Sequence, residues 1–226
     1  MKKVKGRHEL KHRINKGDFL ELSSKLKHIA TPDENSKEGS AYKIRSLYFD
    51  TYDDRVMREK VDGLSKREKF RIRYYNNDTG FIRLEKKSKI NSICYKENEK
   101  ITALECSEIL KGNYEVLNNK DKPLFLELYS KMQYQGLRPK NIVEYYREAY
   151  IYKMGNVRIT LDYNIASSNN VSGFLDSKLF TVKIPNAMVL EVKYDEFLPE
   201  VIRGVTSLRS RRAASFSKYT ETRANY

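Results

Sequence analysis

The chain has 226 residues, 39% hydrophobic and 33% charged, a polar but foldable composition that excludes an intrinsically disordered protein and suffices for one large domain with a buried core. Lys and Arg outnumber Asp and Glu by 44 to 30, a net charge of +14. Such an excess points to polyanionic partners, whether nucleic acid, an anionic membrane surface or phosphate-rich small molecules, with a basic solvated surface as the plain alternative.

In chain order, "GRHELKHRI" reads as a strand with Arg7, Glu9, Lys11 and Arg13 on one face. "NKGDFLELSSKLKHI" follows as a helix, with Asn15 as its cap and Phe19, Leu22, Leu26 and Ile29 at helical spacing. "TPDENSKEGS" is a polar loop by composition, "YKIRSLYFDT" a strand, and "YDDRVMREKVDG" a short helix or turn ending at Gly63. "KFRIRYY", the turn "NNDTG" and "FIRLEKKSKI" make a β-hairpin, with "SICYKENEKI" as a further strand. "ALECSEILKG" and "KPLFLELYSKMQYQG" read as helices, each closed by a glycine. "NIVEYYREAYIY", "VRITLDY", "FTVKI" and "MVLEVKY" return to strand composition, and the chain ends in a mostly helical stretch with a mobile tail. No internal repeat or Pro-, Gly- or Ser-rich linker interrupts this order, so residues 1–226 read as a single domain.

Cys94 and Cys106 show no CxxC spacing, and with three histidines they argue against a Cys/His zinc site. They are expected to be ordinary reduced thiols of a cytoplasmic protein. The first ten residues are basic without an apolar run, which is not the pattern of a signal peptide, and no segment has the ~20 apolar residues of a membrane span.

The strands share a pattern. In "FIRLEKKSKI", Ile82 and Leu84 oppose Arg83, Glu85, Lys87 and Lys89; in "VRITLDY", Arg158, Thr160 and Asp162 oppose Val157, Ile159 and Leu161; in "VLEVKY", Glu191 and Lys193 oppose Leu190 and Val192. The apolar faces need a cover, which the amphipathic helices can supply. The charged faces cannot meet in a dry interior, because an unpaired buried ion costs several kcal/mol and whole domains are stable by only about 5–15 kcal/mol. Arg71, Arg73, Lys87, Lys89, Arg147, Arg158 and Lys193 therefore either line a wet barrel that holds water and an anion, or cover the solvent face of an open sheet. Arg brings a planar donor fork that matches phosphate oxygens, and the carboxylates Glu9, Glu85 and Glu191 are what a divalent cation needs beside phosphates. There is no GxxxxGK[ST] loop, no RNP-like or helix-turn-helix pattern, and no supported Ser/His/Asp set. The "RSRR" run at residues 209–212 reads as a solvated helix face, and Tyr145 and Tyr146 as ordinary strand tyrosines.

The ordered pieces "RHELKHRI", "SLYFDT", "KFRIRYY", "RLEKKSK" with "YKEN", "VEYYREAYIY", "VRITLDYNI", "VLEVKY" and "SFSKY" resemble the triphosphate tunnel family, and within it the VTC-type polyphosphate polymerase domain. The resemblance implies an α+β fold: a closed antiparallel β-barrel of about eight strands, helices packed outside, and a basic tunnel holding polyphosphate or a nucleoside triphosphate. By position, Lys11, Arg71, Arg73, Lys87, Lys96, Arg147, Arg158, Lys193 and Lys218 match the family's phosphate-binding cations, and Lys89 shares their face. Glu191 matches the carboxylate that holds Mn²⁺ or Mg²⁺, with Glu9 and Asp162 as weaker matches; Asp162 is as well explained by pairing with a tunnel arginine. Lys218 is expected to reach in from a terminal helix that closes part of the tunnel.

Hydrolytic members of the superfamily open with ExExK, whereas this chain has "RHELK", with Arg7 at the first Glu position. The departure agrees better with the polymerase branch, in which a phosphate chain end is the nucleophile. The implied activity is transfer of the γ-phosphate of ATP to growing inorganic polyphosphate, with a metal-dependent triphosphatase and a non-enzymatic polyanion- or nucleic-acid-binding module as alternatives. ATP and polyphosphate are the expected partners, and no specific nucleic acid is expected. Eukaryotic polymerases of this branch also carry a regulatory module and membrane spans; neither is recognised here, and a membrane partner or an oligomeric state leaves no mark on the sequence.

Overall fold

The structure, a computed structural model, describes residues 7–36, 41–91, 93–208 and 217–223. The two-residue alternation of apolar and charged side chains builds one antiparallel sheet from strands β1 (His8–Ile14), β2 (Thr31–Pro32), β3 (Tyr42–Asp50), β4 (Lys66–Tyr75), β5 (Asp78–Ile90), β6 (Ile93–Ile101), β7 (Arg138–Tyr152), β8 (Val157–Ser168), β9 (Val182–Lys183) and β10 (Met188–Tyr194). Eight of them follow the order β1-β10-β8-β7-β3-β4-β5-β6, while β2 and β9 are two-residue additions to β7 and β8. Among the described residues six α-helices accompany the sheet: α1 (Lys16–Ile29), α2 (Arg55–Val61), α3 (Ala103–Leu110), α4 (Pro123–Gln135), α5 (Glu200–Thr206) and α6 (Lys218–Arg223).

Local chemistry sets the boundaries. The hairpin β4–β5 turns on Asn76 and Asn77, at φ of 51° and 58°; paired left-handed residues whose twist matches the flanking strands favour Asn here. Asn15 accepts from the Asp18 amide at 2.8 Å while the Asp18 carboxylate accepts from the Asn15 amide at 2.9 Å, a reciprocal cap that starts α1. Thr102 and Glu105 do the same for α3, and Gly136, at φ 70°, ends α4 in the left-handed conformation that a Cβ disfavours.

The outer face of the sheet is apolar and covered. Leu47, Phe49, Phe70, Ile72, Ile82 and Leu84 pack against Cys106 and Ile109 of α3 and Phe125, Leu128 and Met132 of α4. Ile159, Leu161, Leu190 and Val192 pack against Leu22 and Leu26 of α1 and Ile202 of α5. Cys94 and Cys106 are both free, and burial pushes the Cys106 thiol up to about 12.

Four expectations need correction. The barrel is not closed: among the described residues β1 and β6 share no ladder. Both are charged edge strands, a composition that resists edge pairing, and the curl is instead bridged by the Lys87 ammonium of β5 on the Glu9 carboxylate of β1 at 3.0 Å. "FTVKI" contributes only Val182–Lys183, because β9 pairs for two residues at the end of β8. Thr31 and Pro32 of the expected polar loop form β2 against Ile151 and Tyr150. The C-terminal stretch contains two short helices, α5 and α6, while the "RSRR" run and the last three residues lie outside the described residues. Among the described residues no helix is long and apolar enough to cross a membrane.

Phe125 has no solvent exposure and touches the sheet's outer face, whereas Tyr134 on the same helix is 87% exposed. Phe125→Ala is therefore expected to cost about 3–5 kcal/mol in denaturant unfolding, and Tyr134→Ala less than about 0.5 kcal/mol.

Candidate active site

The same alternation that faces apolar residues outward turns the charged residues into the concave side, where they enclose a cavity of about 790 Å³. Glu9 and Lys11 come from β1, Arg71 and Arg73 from β4, Lys87 and Lys89 from β5, and Lys96 from β6. Arg147 comes from β7, Arg158 from β8, Glu191 and Lys193 from β10, and Lys218 from α6. These twelve candidates thus stand on one wall, whereas Glu85 and Asp162, also named from the sequence, are buried and do not line it. Among the described residues fourteen Lys and Arg side chains line the cavity, against three Glu.

Those cations are held in place by carboxylates set into the sheet. Glu85, 2% exposed, accepts from Arg71 Nε at 2.7 Å and pairs with Lys96 at 2.5 Å. Burial works against its charge, but Arg71, Arg73 and Lys96 outweigh burial and hold its carboxyl well below the ordinary value of 4.5. Asp162, fully buried, receives Arg147 through two bonds of 2.6 and 2.7 Å and Lys218 at 2.5 Å. Both its oxygens are engaged, which makes it an anchor for cations. Arg73 donates to Ser46 Oγ at 2.9 Å and to the Tyr145 hydroxyl at 3.1 Å. Arg158 reaches Asp33 at 2.8 Å and the Tyr42 hydroxyl at 3.3 Å, and its Nε is buried with no hydrogen-bond partner.

Glu9 and Glu191 stand on adjacent strands and both lean on the Lys11 ammonium, Glu191 at 3.3 Å. Glu191 also meets Lys193 at 2.5 Å. Burial opposes ionisation of Glu191, yet Lys193, Lys11 and Arg147 lower its carboxyl well below the usual range; burial and Glu191 oppose that of Glu9, yet Lys11 and Lys87 lower it too. Among the described residues no group of three or more His, Cys, Asp or Glu converges. Two carboxylates are too few for an all-protein cage but are the usual complement for Mg²⁺ or Mn²⁺, which completes its shell with phosphate oxygens and water. The donor set fits such an ion, and Lys11 shows that positive charge is favoured between the two carboxylates. Arg7 lines the cavity too, its Nε on Asp195 at 2.9 Å.

Other lining residues escaped the sequence reading. Lys69 and Arg67 precede Arg71 on β4 at the same two-residue step, a signal lost by starting the strand at Lys69 and counting only arginines. Tyr145 is not an ordinary strand tyrosine: it is buried beneath Arg73 and Lys218, whose ammonium lies 4.6 Å from its ring. Tyr146, 40% exposed and stacked on Tyr163, fits that description. Burial raises the Tyr48 hydroxyl, but Arg71, Lys69 and Arg73 bring it down to about 7. Asp33 sits in a loop and had no periodic signal at all.

A family profile for the VTC domain matches residues 6–226, nearly the whole chain. The chain belongs to the VTC domain family. Membership places it among triphosphate tunnel enzymes, proteins acting on triphosphates. Among solved structures, a "putative adenylate cyclase" of Bacillus halodurans superposes at a TM-score of 0.52 with 16% identity, over 89% of this VTC domain and 86% of that chain. The PH1819 protein of Pyrococcus horikoshii gives 0.48 with 14% identity, over 97% and 98%. The first likeness shows a common fold. No curated protein matches the chain.

Glu85 makes the wall's stability dependent on acid. Its folded value is depressed, so its contribution is present in full above 4.5, where the unfolded carboxyl ionises, and is lost as the pH falls through the lower folded value. Glu85→Gln, which leaves Arg71 and Lys96 unpaired, is expected to cost about 3 kcal/mol at pH 7, with the gap to wild type narrowing below pH ~4 in thermal unfolding.

Proposed function

We propose that this VTC domain is a polyphosphate polymerase that transfers the γ-phosphate of ATP to the end of an inorganic polyphosphate chain. The observation that carries the reading is the partition of charge. Among the described residues the cavity wall carries fourteen Lys and Arg but only three Glu, and the described residues outside it are close to neutral, twenty-three cations against twenty-six anions. A protein built to bind nucleic acid on its surface would spread its basic residues outside. Here the excess surrounds an enclosed space suited to a slender, densely charged anion.

The chain's own residues account for most of what phosphoryl transfer needs, which is positioning and positive charge. Arg71, Arg73, Arg147 and Arg158 would hold the nucleotide's β- and γ-phosphates, each guanidinium already oriented by a carboxylate or hydroxyl. Lys11, Lys87, Lys89, Lys96, Lys193 and Lys218 would hold the growing chain. Glu9 and Glu191 would hold a divalent cation, which supplies positive charge to offset that developing on the phosphate oxygens. A terminal oxygen of polyphosphate attacks the γ-phosphorus, the bond to the β–γ bridging oxygen breaks, and ADP leaves. The chain gains one phosphate, and no net proton is taken up or released when the acceptor end is fully ionised, so no protein base is required. Glu9 and Glu191, held below the ordinary carboxylate range, are poorly set to deprotonate water, and Arg7 stands where the hydrolytic pattern has a glutamate.

Purified protein given ATP and Mn²⁺ is expected to release ADP and to form a ladder of long anionic chains on polyphosphate-stained gels. Orthophosphate without chain growth would assign it to the triphosphatases, and salt-sensitive polyanion binding without turnover to the binding modules. Arg158→Ala and Glu191→Gln are each expected to lower turnover by about 10²–10³-fold or more while the protein remains folded by circular dichroism. Unchanged chain synthesis in either variant would remove it from the site.

A further inference from the structure

The inner face of β4 carries Arg67, Lys69, Arg71 and Arg73 at every second residue, about 6–7 Å apart. Opposite them on β5, at the same rungs, stand Lys89, Lys87, Glu85 and Arg83. The Arg71–Glu85 rung is neutral. The two rungs beyond it, Lys69–Lys87 and Arg67–Lys89, set cation against cation, and β6 adds Lys96 beside Lys87. Like charges directly opposed across strands destabilise a sheet. Glu9 relieves Lys87 and Glu85 relieves Lys96, whereas the Lys69 ammonium lies 5.7 Å from the ring of Tyr48, with Lys87, Arg71 and Lys11 among its charged neighbours. Lys69 keeps some surface open to the cavity, yet its ammonium is screened from bulk water, and that loss of hydration with the like charges pushes it down to about 7.

Lys69 also borders a second cavity of about 400 Å³ on the helix-covered side, bounded by α2, the first residues of β4, the last of β5, and α4. Val56, Arg67, Glu68, Lys69 and Ser88 border both spaces, so the two cavities adjoin at the stretch of β4 that precedes Arg71 and, among the described residues, has no β3 partner. Lys66 and Arg55 stand on its far wall, Arg55 paired with Glu59 at 3.5 Å; Glu68 is engaged by Lys131 and, at 3.7 Å, by Lys86, which also meets Glu127 at 2.6 Å. From Arg71 to Arg67 the strand runs about 13 Å, beyond the reach of a triphosphate held by Arg71, Arg73, Arg147 and Arg158.

We propose that the cavity between α2 and α4 is a second polyanion site, entered from the tunnel across Lys69, that holds the distal part of a long inorganic polyphosphate chain. The identity of its ligand rests on the polymerase reading; the site itself rests on the like-charged rungs and the shared wall. A chain lying across the two rungs supplies the negative charge that Lys69 lacks and leads the distal phosphates away from the reacting end.

The test is binding by titration calorimetry with two probes, tripolyphosphate and long-chain inorganic polyphosphate, on wild type, Lys69→Met and Lys66→Glu. Lys66 is exposed at the far wall, so its variant keeps the proposal testable if Lys69→Met fails to fold. Both variants are expected to weaken long-chain binding by about tenfold with a shallower salt dependence, and tripolyphosphate binding by no more than about twofold. An equal loss for both probes would merge these residues with the tunnel site, and no loss for either would leave the second cavity without a ligand; each result overturns the proposal. Length-selective loss in a protein that makes no polyphosphate from ATP would keep the second site and overturn the polymerase reading alone. A wild type that binds neither probe would overturn both.

Discussion

Mutual repulsion among the cations on the concave face is the constraint on which the rest of the structure depends. Fourteen Lys and Arg side chains share one wall, and without compensation they would drive the sheet flat. Compensation comes from carboxylates placed within the sheet: Glu85, Asp162 and Glu191 are buried, and each touches two or more cations. Their number is too small to neutralise the wall, so the curved sheet retains a large positive potential in a partly desolvated space. Electrostatic work done during folding thereby becomes binding energy for an anion, because guanidinium groups already oriented need little reorganisation when phosphate arrives.

The helices follow from the same arrangement. A sheet whose inner face is largely charged builds most of its core on the other, and α1, α3, α4 and α5 bury that outer face in two clusters, while a third, with Ile44, Tyr48, Val143, Tyr145, Val189 and Tyr219 of α6, lies on the inner side. On the inner side, α6 is tied by polar contacts: Lys218 to Asp162 at 2.5 Å, Tyr219 to Asp50 at 2.6 Å, and Arg223 to Asp54 at 2.8 Å. Asp50 also accepts the amides of Val56 and Met57 at the start of α2. The terminal helix, α2 and the cavity wall thus form one hydrogen-bonded unit. Displacing α6 would remove a cation from Asp162 and a partner from the carboxylate that caps α2.

Most of the wall was legible because a period of two leaves no freedom once one face is known: Arg71 and Arg73, or Glu191 and Lys193, must share a side. Closure was not legible. Whether the first and last strands meet depends on strand tilt and edge chemistry, and the charged edges β1 and β6 stay apart while Lys87 reaches Glu9 across the gap. Nor could the pairings be read, since Arg147 meets Asp162 only because β7 and β8 are neighbours in that register. Asp33 shows the limit most plainly. It comes from a loop between α1 and β3, and nothing local announces that it will buttress Arg158.

Cavity shape and charge together favour a phosphate chain over the other polyanions that the composition admits. A nucleic-acid strand brings bases that need flat aromatic platforms, typically beside a groove open along its length. Among the described residues, four of the wall's six tyrosines are engaged: Tyr42 and Tyr145 receive arginine donors, and Tyr48 lies stacked on Tyr219 with Arg71 and Lys69 about it. These four serve as supports for cations rather than as platforms for bases. What remains is a passage whose donors suit oxygen anions and whose cations repeat along a strand. A polymer of identical charged units can advance along such a passage step by step, since each position offers the chain much the same interaction as the one before it.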